Sequence, residues 1–600
     1  MNKSLSVLLK KYSVEELENA LIKIFLENHK IKDVKNNLIN ARISTIDNNI
    51  YKKLNNSFNV NNLDELNKLF EELFDENEKT ENGIVFTPTF IADYIVKNTV
   101  SEFNDETKII DPSCGCGIFL ISAVDYIHKT YKKDIVGIIE KNVFGIDLKA
   151  ENIERVKIML SLYCIINKCD VEEINFNIIE RDSLFCDWCE EFGVKSFDYI
   201  IGNPPYINTQ ELSESYISKL KKNYETTKIG QFNIFYAFIE KSSQYLKDSS
   251  MLGYIIPNNF LHIKSAVLLR QFIKSNNLLN KIIDFKDNMV FAPILTYNAI
   301  IFLSKNNSDF EYTVVKKVDD VTDELEKLIF KKKSNNSLDD NGWYLVDQNV
   351  DRNLKQIEKH NLTLDPFIKT GIATLRDKIY VLDGYDSKEK KYYKIIDDKK
   401  YYIETKLTVP YIKISRYKDD GAVGRIIFPY YEKNNMNIPY DEETMSNKFP
   451  LAYAYFKVVR EELESREKGT FHITPWFAYG RTQGLNMFGH KIIFSTFSFK
   501  ANYMDCPEDN ALVSNGYCIS GYENIIDTDI LLKIINSDVM NYYVDNTSYS
   551  ISGGFKCYQK KYVKNFSIPE LTEEDIKKIR VLDGDELNKF LFELYDLIID

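Results

Sequence analysis

The sequence predicts an α/β protein: a doubly wound sheet preceded by a small helical region and followed by a mixed α+β domain. Three observations carry this. Between Thr107 and Leu303, short β-branched and aromatic runs alternate with helical stripes, the pattern of a mostly parallel sheet wrapped by helices. Four of those runs end on a polar residue, Asp111, Asp147, Asp182 or Asn203, and open α/β sheets bind ligands at the carboxyl ends of their strands. Beyond about residue 345 the alternation gives way to short strands, Tyr and Phe pairs and turn residues. At 600 residues the chain exceeds what one core can serve, and two or three domains are expected.

Composition narrows the class. The net charge of −12 argues against a uniformly basic DNA-coating protein. Charged side chains from Asp351 to Lys500 nevertheless sum to roughly +6, so a local basic face is expected there. Tyr and Phe, 39 and 37 in number, are material for cores or for base-stacking platforms. Nine cysteines, with no apolar stretch behind Met1-Asn-Lys-Ser4, predict a reducing cytoplasm and no disulfide framework. No run approaches eighteen apolar residues, so no membrane span is expected.

Taken in order, Ser13-Val-Glu-Glu16 is a capping box ahead of the stripe Leu17, Leu21, Ile24 and Phe25, and Leu63, Leu66, Phe70 and Leu73 form a second stripe. Residues 1–80 read as a helical extension for packing or partner contact, without chemistry. They hold no strand-borne acidic pair followed by Glu-x-Lys, the mark of a nuclease. Gly83-Ile-Val-Phe86-Thr87-Pro88 leads into Ile91, Tyr94, Ile95 and Val100, with Thr87 and Pro88 opening a helix as N-cap and first turn.

Seven strands are then expected: 107–111, 143–147, 176–182, 197–203, 251–256, 281–285 and 296–303. The first runs into Asp111-Pro112-Ser113-Cys114-Gly115-Cys116-Gly117-Ile-Phe119. Gly115 and Gly117 remove side chains so that backbone N–H groups at a helix start can approach a ligand. Neither Cys114 and Cys116 in that turn nor Cys186-Asp-Trp-Cys189 has a second pair at zinc spacing, so no metal is expected. A carboxylate at Asp147 can accept both hydroxyls of a ribose, or cap the following helix. The fourth strand, Phe197-Asp-Tyr-Ile-Ile-Gly-Asn-Pro-Pro-Tyr206, must stop at its prolines, which offer the ladder no N–H. The resulting rigid turn presents the Asn203 amide, the Pro204 carbonyl and the Tyr206 ring. Two acceptors beside a π surface suit a flat group carrying an exocyclic NH2.

The Asn-Pro-Pro-Tyr turn and the Asp-Pro-x-Cys-Gly-x-Gly-x-Phe loop, in this order and followed by an aromatic-rich C-terminal domain, resemble the gamma group of DNA adenine-N6 methyltransferases of restriction-modification type. The resemblance covers about residues 80 to 570. It implies a Rossmann-like S-adenosylmethionine-dependent methyltransferase sheet and assigns the cofactor to Phe86, Thr87, Pro88, Asp111, Pro112, Ser113, Cys114, Gly115, Gly117, Phe119, Asp147, Leu148, Asp182, Ser183 and Asn203. Thr87 and Pro88 would lie against its methionine end, Asp111 would hold its amino group, and Asp182 would accept from its adenine amine. The same resemblance makes Asn203, Pro204 and Tyr206 the catalytic turn and Phe291, about 85 residues further on, a second aromatic against a flipped-out adenine.

The implied domains are a helical extension at 1–80, the catalytic domain at 81–330, a DNA target-recognition domain at 345–570 and packing helices at 571–600. Lys331 to Gly342 reads as a linker or long loop. In the recognition domain, Lys413, Arg416, Lys418, Arg425, Arg460, Arg466, Arg481, Lys491, Lys500, Lys556 and Lys560 are candidate contacts to phosphates or bases, interleaved with Trp476, Tyr479 and Phe488; Arg416, Trp476, Tyr479, Arg481 and Lys556 lead that set. The expected partner is double-stranded DNA, with a separate cognate restriction endonuclease compatible with the chain. A monomer is expected, working in the bacterial cytoplasm at the nucleoid. Protein glutamine-N5 or DNA cytosine-N4 methylation keeps the same chemistry on another substrate. A non-catalytic DNA-binding specificity subunit is the alternative of another class.

Overall fold

The computed structural model describes residues 5, 8–73, 87–286, 288, 290, 297–315, 325–340, 342–434, 436–466, 474–551 and 553–598, with the side chains of 418–420 left aside. The expected contacts Phe86, Phe291 and Lys418 lie outside these residues or side chains. The chain forms two compact units, Met1–Leu345 and Val346–Asp600.

In the first unit, helices described in full before the sheet include α1 (Val14–Asn28), α2 (Asn37–Ser44), α3 (Asn48–Asn55) and α4 (Leu63–Glu72). The capping box forms as expected: Glu16 N–H donates to Ser13 Oγ (3.2 Å) while Ser13 N–H donates to Glu16 Oε2 (2.8 Å). Next come α5 (Thr89–Thr99), β1 (Ile109–Asp111), α6 (Ile118–Tyr131), α7 (Ile135–Lys141), β2 (Val143–Asp147), α8 (Ala150–Ile166), β3 (Asn177–Glu180), α9 (Trp188–Phe192) and β4 (Phe197–Gly202). Then follow α10 (Glu214–Asn223), α11 (Phe235–Tyr245), β5 (Leu246–Pro257), α12 (Val267–Ser275), β6 (Leu279–Asp284), β7 (Asn298–Leu303), β8 (Asp309–Val314) and β9 (Lys331–Ser334).

These strands make one sheet in the order β3-β2-β1-β4-β5-β7-β6-β8-β9. The run from β3 to β5 is parallel, and β7 lies antiparallel between β5 and β6. Consecutive strand residues face opposite layers. Ile109, Tyr199, Ile201, Ile255 and Ile300 pack with the N-terminal helices, α5, α6 and α8. Their neighbours Ile110, Ile200, Ile256 and Ile301 pack against α10, α11 and α12. The sheet is buried on both sides, which is why its strands read as near-continuous apolar runs. Strand order reverses between β1 and β4, so the chemistry is expected at their carboxyl ends.

One expectation needs correction. The stretch expected as a linker or long loop from Lys331 opens with a strand of the sheet: β8 pairs with β6, and Lys331–Ser334 pairs antiparallel with Asp309–Tyr312 as the outermost strand. Lysines suit an exposed edge because they oppose further pairing, and that same polarity makes the strand read as a loop. The N-terminal helices pack on the helices beside the sheet. Glu18 and Arg155 form a buried ion pair at 2.6 Å between α1 and α8, and Arg42 joins α2 to Glu154.

In the second unit, a four-stranded sheet orders Ile368–Thr370, Gly516–Ile519, Ile492–Ser495 and Tyr503–Asp505. Alternation again divides its faces: Ile493 and Cys518 join one core, Ile492, Phe494 and Ile519 the other. The helices Glu573–Val581 and Gly584–Leu594 bury Ile579, Leu587 and Leu591 in that second core. Among the described residues no helix is long and apolar enough to cross a membrane.

Candidate active site

At the switch point, the turns after β1, β2, β3 and β4 surround a cavity of about 410 Å³. β1 ends at Asp111, where β4 comes so close that a Cβ on Gly202 would stand 2.6 Å from Asp111 Oδ1; with φ at +151° that position demands glycine on both counts. The turn from β1 into α6 is held by Cys114 N–H donating to Ile146 O (3.0 Å) and Gly117 N–H to Cys114 O (2.7 Å). Gly117 adopts φ +89° and does not line the cavity. That left-handed backbone favours glycine, and a Cβ there would also meet Val156 Cγ1 at 3.0 Å where α6 packs on α8.

The strand-end carboxylates are fixed by their own turns. Asp111 Oδ1 accepts from Ser113 N–H at 3.0 Å. Asp147 Oδ2 accepts from Gly115 N–H (2.9 Å), while its Oδ1 takes Lys149 N–H (3.0 Å) and Asn152 Nδ2 (2.9 Å). Asp182 accepts from Leu184 N–H and, on its other oxygen, from the Tyr216 hydroxyl, both at 3.0 Å. Burial raises all three carboxyls above their ordinary value, Asp111 to about 8, where Asp147 adds a smaller push. The cavity is therefore a place where negative charge is costly until a cation or further donors enter. Burial likewise pushes the thiol of Cys114 well above its ordinary value, so it is no thiolate at neutral pH.

Asn203 follows β4. Its Nδ2 donates to Thr87 Oγ1 (3.0 Å), and its backbone carbonyl accepts from Ser113 Oγ (3.3 Å). Ser183 Oγ donates to Pro112 O. One cluster thus joins the segment before α5, the β1 turn, the β3 turn and the β4 turn. Thr87 spends its hydroxyl on Asn203, and Pro88 occupies the N-cap of α5 without a side-chain cap, one place earlier than expected. Tyr206 is half-buried, its hydroxyl donating to Ile255 O (3.1 Å) and accepting from Asn298 Nδ2 (3.3 Å), with its ring edge-on to Phe235.

Of the expected residues, Thr87, Asp111, Pro112, Ser113, Cys114, Gly115, Phe119, Asp147, Leu148, Asp182, Ser183, Asn203 and Pro204 line the cavity; Pro88, Gly117 and Tyr206 do not. Leu148 sits at its mouth, 64% exposed. Sequence reasoning missed Tyr216, Asn152, Ile207, Phe238 and Glu71, which line the same cavity. Tyr216 stands in α10, where its helical pattern carries no functional mark. Glu71 belongs to the N-terminal helices expected to hold no chemistry.

In the second unit Arg416 is exposed. Trp476 is half-buried, its Nε1 donating to Glu442 (3.2 Å) and its ring under the Arg460 guanidinium (4.8 Å). Arg481 is half-buried, its backbone N–H on Ala373 O (3.1 Å); Lys556 pairs with Asp545 at 3.1 Å. Tyr479 is corrected: 2% exposed, it donates its hydroxyl to Ile427 O (2.6 Å) inside the core and has no face for a nucleic acid. Arg466 and Lys491 are also interior. Arg466 donates to the carbonyls of Leu463, Trp476 and Ala478, and Lys491 to that of Asp509. Among the described residues no cluster of His, Cys, Asp and Glu is arranged to hold a metal.

Residues 141–291 match the family described as Eco57I restriction-modification methylase. The chain is 26% identical over 609 residues to the Type II restriction enzyme and methyltransferase RM.Eco57I of Escherichia coli, covering 87% of this chain and 60% of that protein. It is 25% identical over 573 residues to the Type II methyltransferase M.BstVI of Geobacillus stearothermophilus, covering 86% and 96%. Among solved structures, that of the Type IIL restriction-modification enzyme MmeI in complex with DNA superposes over 99% of this chain and 95% of its own, with a TM-score of 0.63 at 12% identity. At that identity the match speaks for the fold alone. Over most of its length the chain is similar to Type II restriction-modification methyltransferases.

Proposed function

We propose that the chain is a site-specific DNA methyltransferase that moves a methyl group from S-adenosylmethionine to N6 of an adenine turned out of duplex DNA. The observation that carries this reading is Asn203, set at the carboxyl end of β4 by Thr87 and Ser113 and sharing one cavity with three strand-end carboxylates. The similarity to Type II methyltransferases supports it.

The residues present suit the cofactor. The cavity has the size of a cofactor site, Gly115 brings its backbone to the wall, and Asp147 and Asp182 keep acceptor capacity beyond the bonds they already take. Asp147 would hold the ribose and Asp182 the adenine amine, with Leu148 over the base and Asp111 and Thr87 toward the methionine end. When bound, S-adenosylmethionine supplies a methyl group activated by its sulfonium.

The chain's own task is to make an amine react whose lone pair is delocalised into an aromatic ring. The bond from Nδ2 to Thr87 fixes the plane of the Asn203 amide, which sets its Oδ1 on the opposite edge. Together with the Pro204 carbonyl, that oxygen accepts from the N6 hydrogens and favours a tetrahedral nitrogen. Positioning and electrostatics then carry the reaction, without a covalent nucleophile. A base inside a duplex cannot reach this turn, so the adenine is extruded and stacked on Tyr206, with Phe291 as its second aromatic contact.

The second unit reads the DNA. Arg416, Arg481 and Lys556 are the proposed phosphate or base contacts, with Trp476 offering its exposed part. We place the enzyme in the cytoplasm, as a monomer beside a separate cognate nuclease.

The test is to express the chain in a host lacking adenine methylation and map modified bases across the host genome. N6-methyladenine confined to one short motif is the expected result. N4-methylcytosine in its place, or no modified base from a soluble protein that binds the cofactor, would overturn the adenine reading.

A further inference from the structure

We propose that Asn298, the first residue of β7, is a positioning residue for the proposed methyl transfer, its amide holding the Tyr206 ring in the orientation that receives the extruded base. The inference rests on that reading of the site and adds to it a side chain from the strand beyond β5.

The Tyr206 hydroxyl has one proton, which it gives to Ile255 O on β5 at 3.1 Å. Its oxygen can then only accept, so a second partner must be a donor, and Asn298 Nδ2 fills that place at 3.3 Å. Burial holds the phenol well above its ordinary value, so it keeps the proton that it gives to Ile255. The two partners stand on adjacent antiparallel strands, in a register that sets Asn298 opposite Pro257. The Asn298 backbone is fixed as well, its carbonyl accepting from Phe285 N–H at 3.1 Å. Phe235 meets the Tyr206 ring edge-on, with centroids 6.2 Å apart. A ring held at its hydroxyl and flanked in this way cannot swing freely about its Cα–Cβ bond. The Asn-Pro-Pro-Tyr turn is thus pinned at both ends, by Thr87 and Ser113 at Asn203 and by Ile255 and Asn298 at Tyr206.

Stability does not account for the amide. Asn298 is fully buried at the head of a strand whose remaining residues, Ala299 to Leu303, are apolar and buried. Among the described residues its Oδ1 has no hydrogen-bond partner. A buried acceptor left unmatched is costly, and an apolar side chain of similar size avoids that cost. What the amide contributes is one donor to one hydroxyl, on the ring proposed to stack against the base.

The test is a double-variant cycle on the full chain, read as kcat and KM with duplex DNA containing the motif mapped in the host genome. Asn298→Leu, similar in size and without a donor, is expected to lower kcat about tenfold, with KM for DNA and S-adenosylhomocysteine affinity within about twofold of wild type. Tyr206→Phe, which removes the acceptor, is expected to lower kcat by a similar factor. The double variant is expected within about twofold of either single one, whereas independent effects would multiply. Multiplied losses, or an unchanged kcat in Asn298→Leu, overturn the assignment. So does a loss of S-adenosylhomocysteine affinity as large as the loss in kcat, which marks a general disturbance of the site. If Asn298→Leu fails to fold, Tyr206→Phe decides: full activity there leaves the hydroxyl, and with it Asn298, without a positioning role. A wild-type chain that leaves adenine unmodified overturns the functional reading and this role together, a result separable from multiplied losses in an active chain.

Discussion

Asn203 Nδ2 donates to Thr87 Oγ1 across 3.0 Å, joining two residues 116 positions apart. Thr87 is thereby the group that orients the amide. Thr87→Val keeps the shape and removes the acceptor, so methyl transfer at saturating cofactor is expected to fall about 10- to 100-fold, whereas Thr87→Ser retains most activity. Steady-state kinetics with a DNA substrate check this, and equal rates in the two variants would remove the orienting role.

Replacing Asn203 itself is the harsher test. Asn203→Ala is expected to abolish methyl transfer while leaving the melting temperature and S-adenosylhomocysteine affinity close to wild type, because neither the sheet nor the carboxylate frame depends on the amide. Full activity in that variant would sink the proposed mechanism.

Asp111 gives the site a pH dependence. Its carboxyl, raised by burial to about 8, binds its proton more tightly in the folded than in the unfolded chain. Its stabilising contribution is complete below the ordinary carboxyl value of about 4 and is lost as pH rises through about 8. Melting of the ligand-free protein is therefore expected to fall between about pH 4 and 8 more steeply in wild type than in Asp111→Asn, and the difference in slope to vanish above pH 8. A cationic ligand favours the ionised form, so binding at pH 7 is expected to release a proton, read as a buffer-dependent calorimetric heat.

Tyr216 donates to Asp182 at 3.0 Å, and that bond lowers a carboxyl that burial raises. Tyr216→Phe is expected to weaken cofactor binding by up to about tenfold, the worth of one hydrogen bond to a charged group. The pH at which Asp182 ionises moves upward, so the loss is greatest at low pH. A uniform loss across pH would assign Tyr216 to packing alone.

In the second unit two arginines are expected to part company. Arg466→Ala removes a buried guanidinium that donates to the carbonyls of Leu463, Trp476 and Ala478 and is expected to destabilise that unit by about 3 kcal/mol or more. Arg416 is exposed; Arg416→Ala leaves melting nearly unchanged, weakens DNA binding and reduces the logarithmic salt slope by about 1 if it meets a phosphate. Denaturation and binding titrations at several salt concentrations read both.

The sheet and its ligand-facing turns were legible in the chain because their causes are local. Pro204 and Pro205 end β4 wherever it lies, short near-continuous apolar runs mark strands buried on both faces, and a polar residue at each strand end falls on the ligand side once the sheet forms. Contacts between distant segments were not legible. Nothing in the stripe around Phe70 distinguishes Glu71, which faces the cavity, from Glu72 beside it, and nothing near Thr87 announces Asn203. Tyr479 and Arg466 look like any aromatic and basic residue of a DNA-reading surface until packing puts them inside. Lys331–Ser334 reads as a loop because an edge strand is polar, and only its pairing with β8 makes it a strand. What the sequence by itself determined is where strands end and which side chains stand at those ends, since backbone sterics and alternation act over a few residues. Which side chains share a cavity, and which charges are buried in it, the tertiary structure alone decided, because burial and long-range hydrogen bonds exist only once the layers have packed.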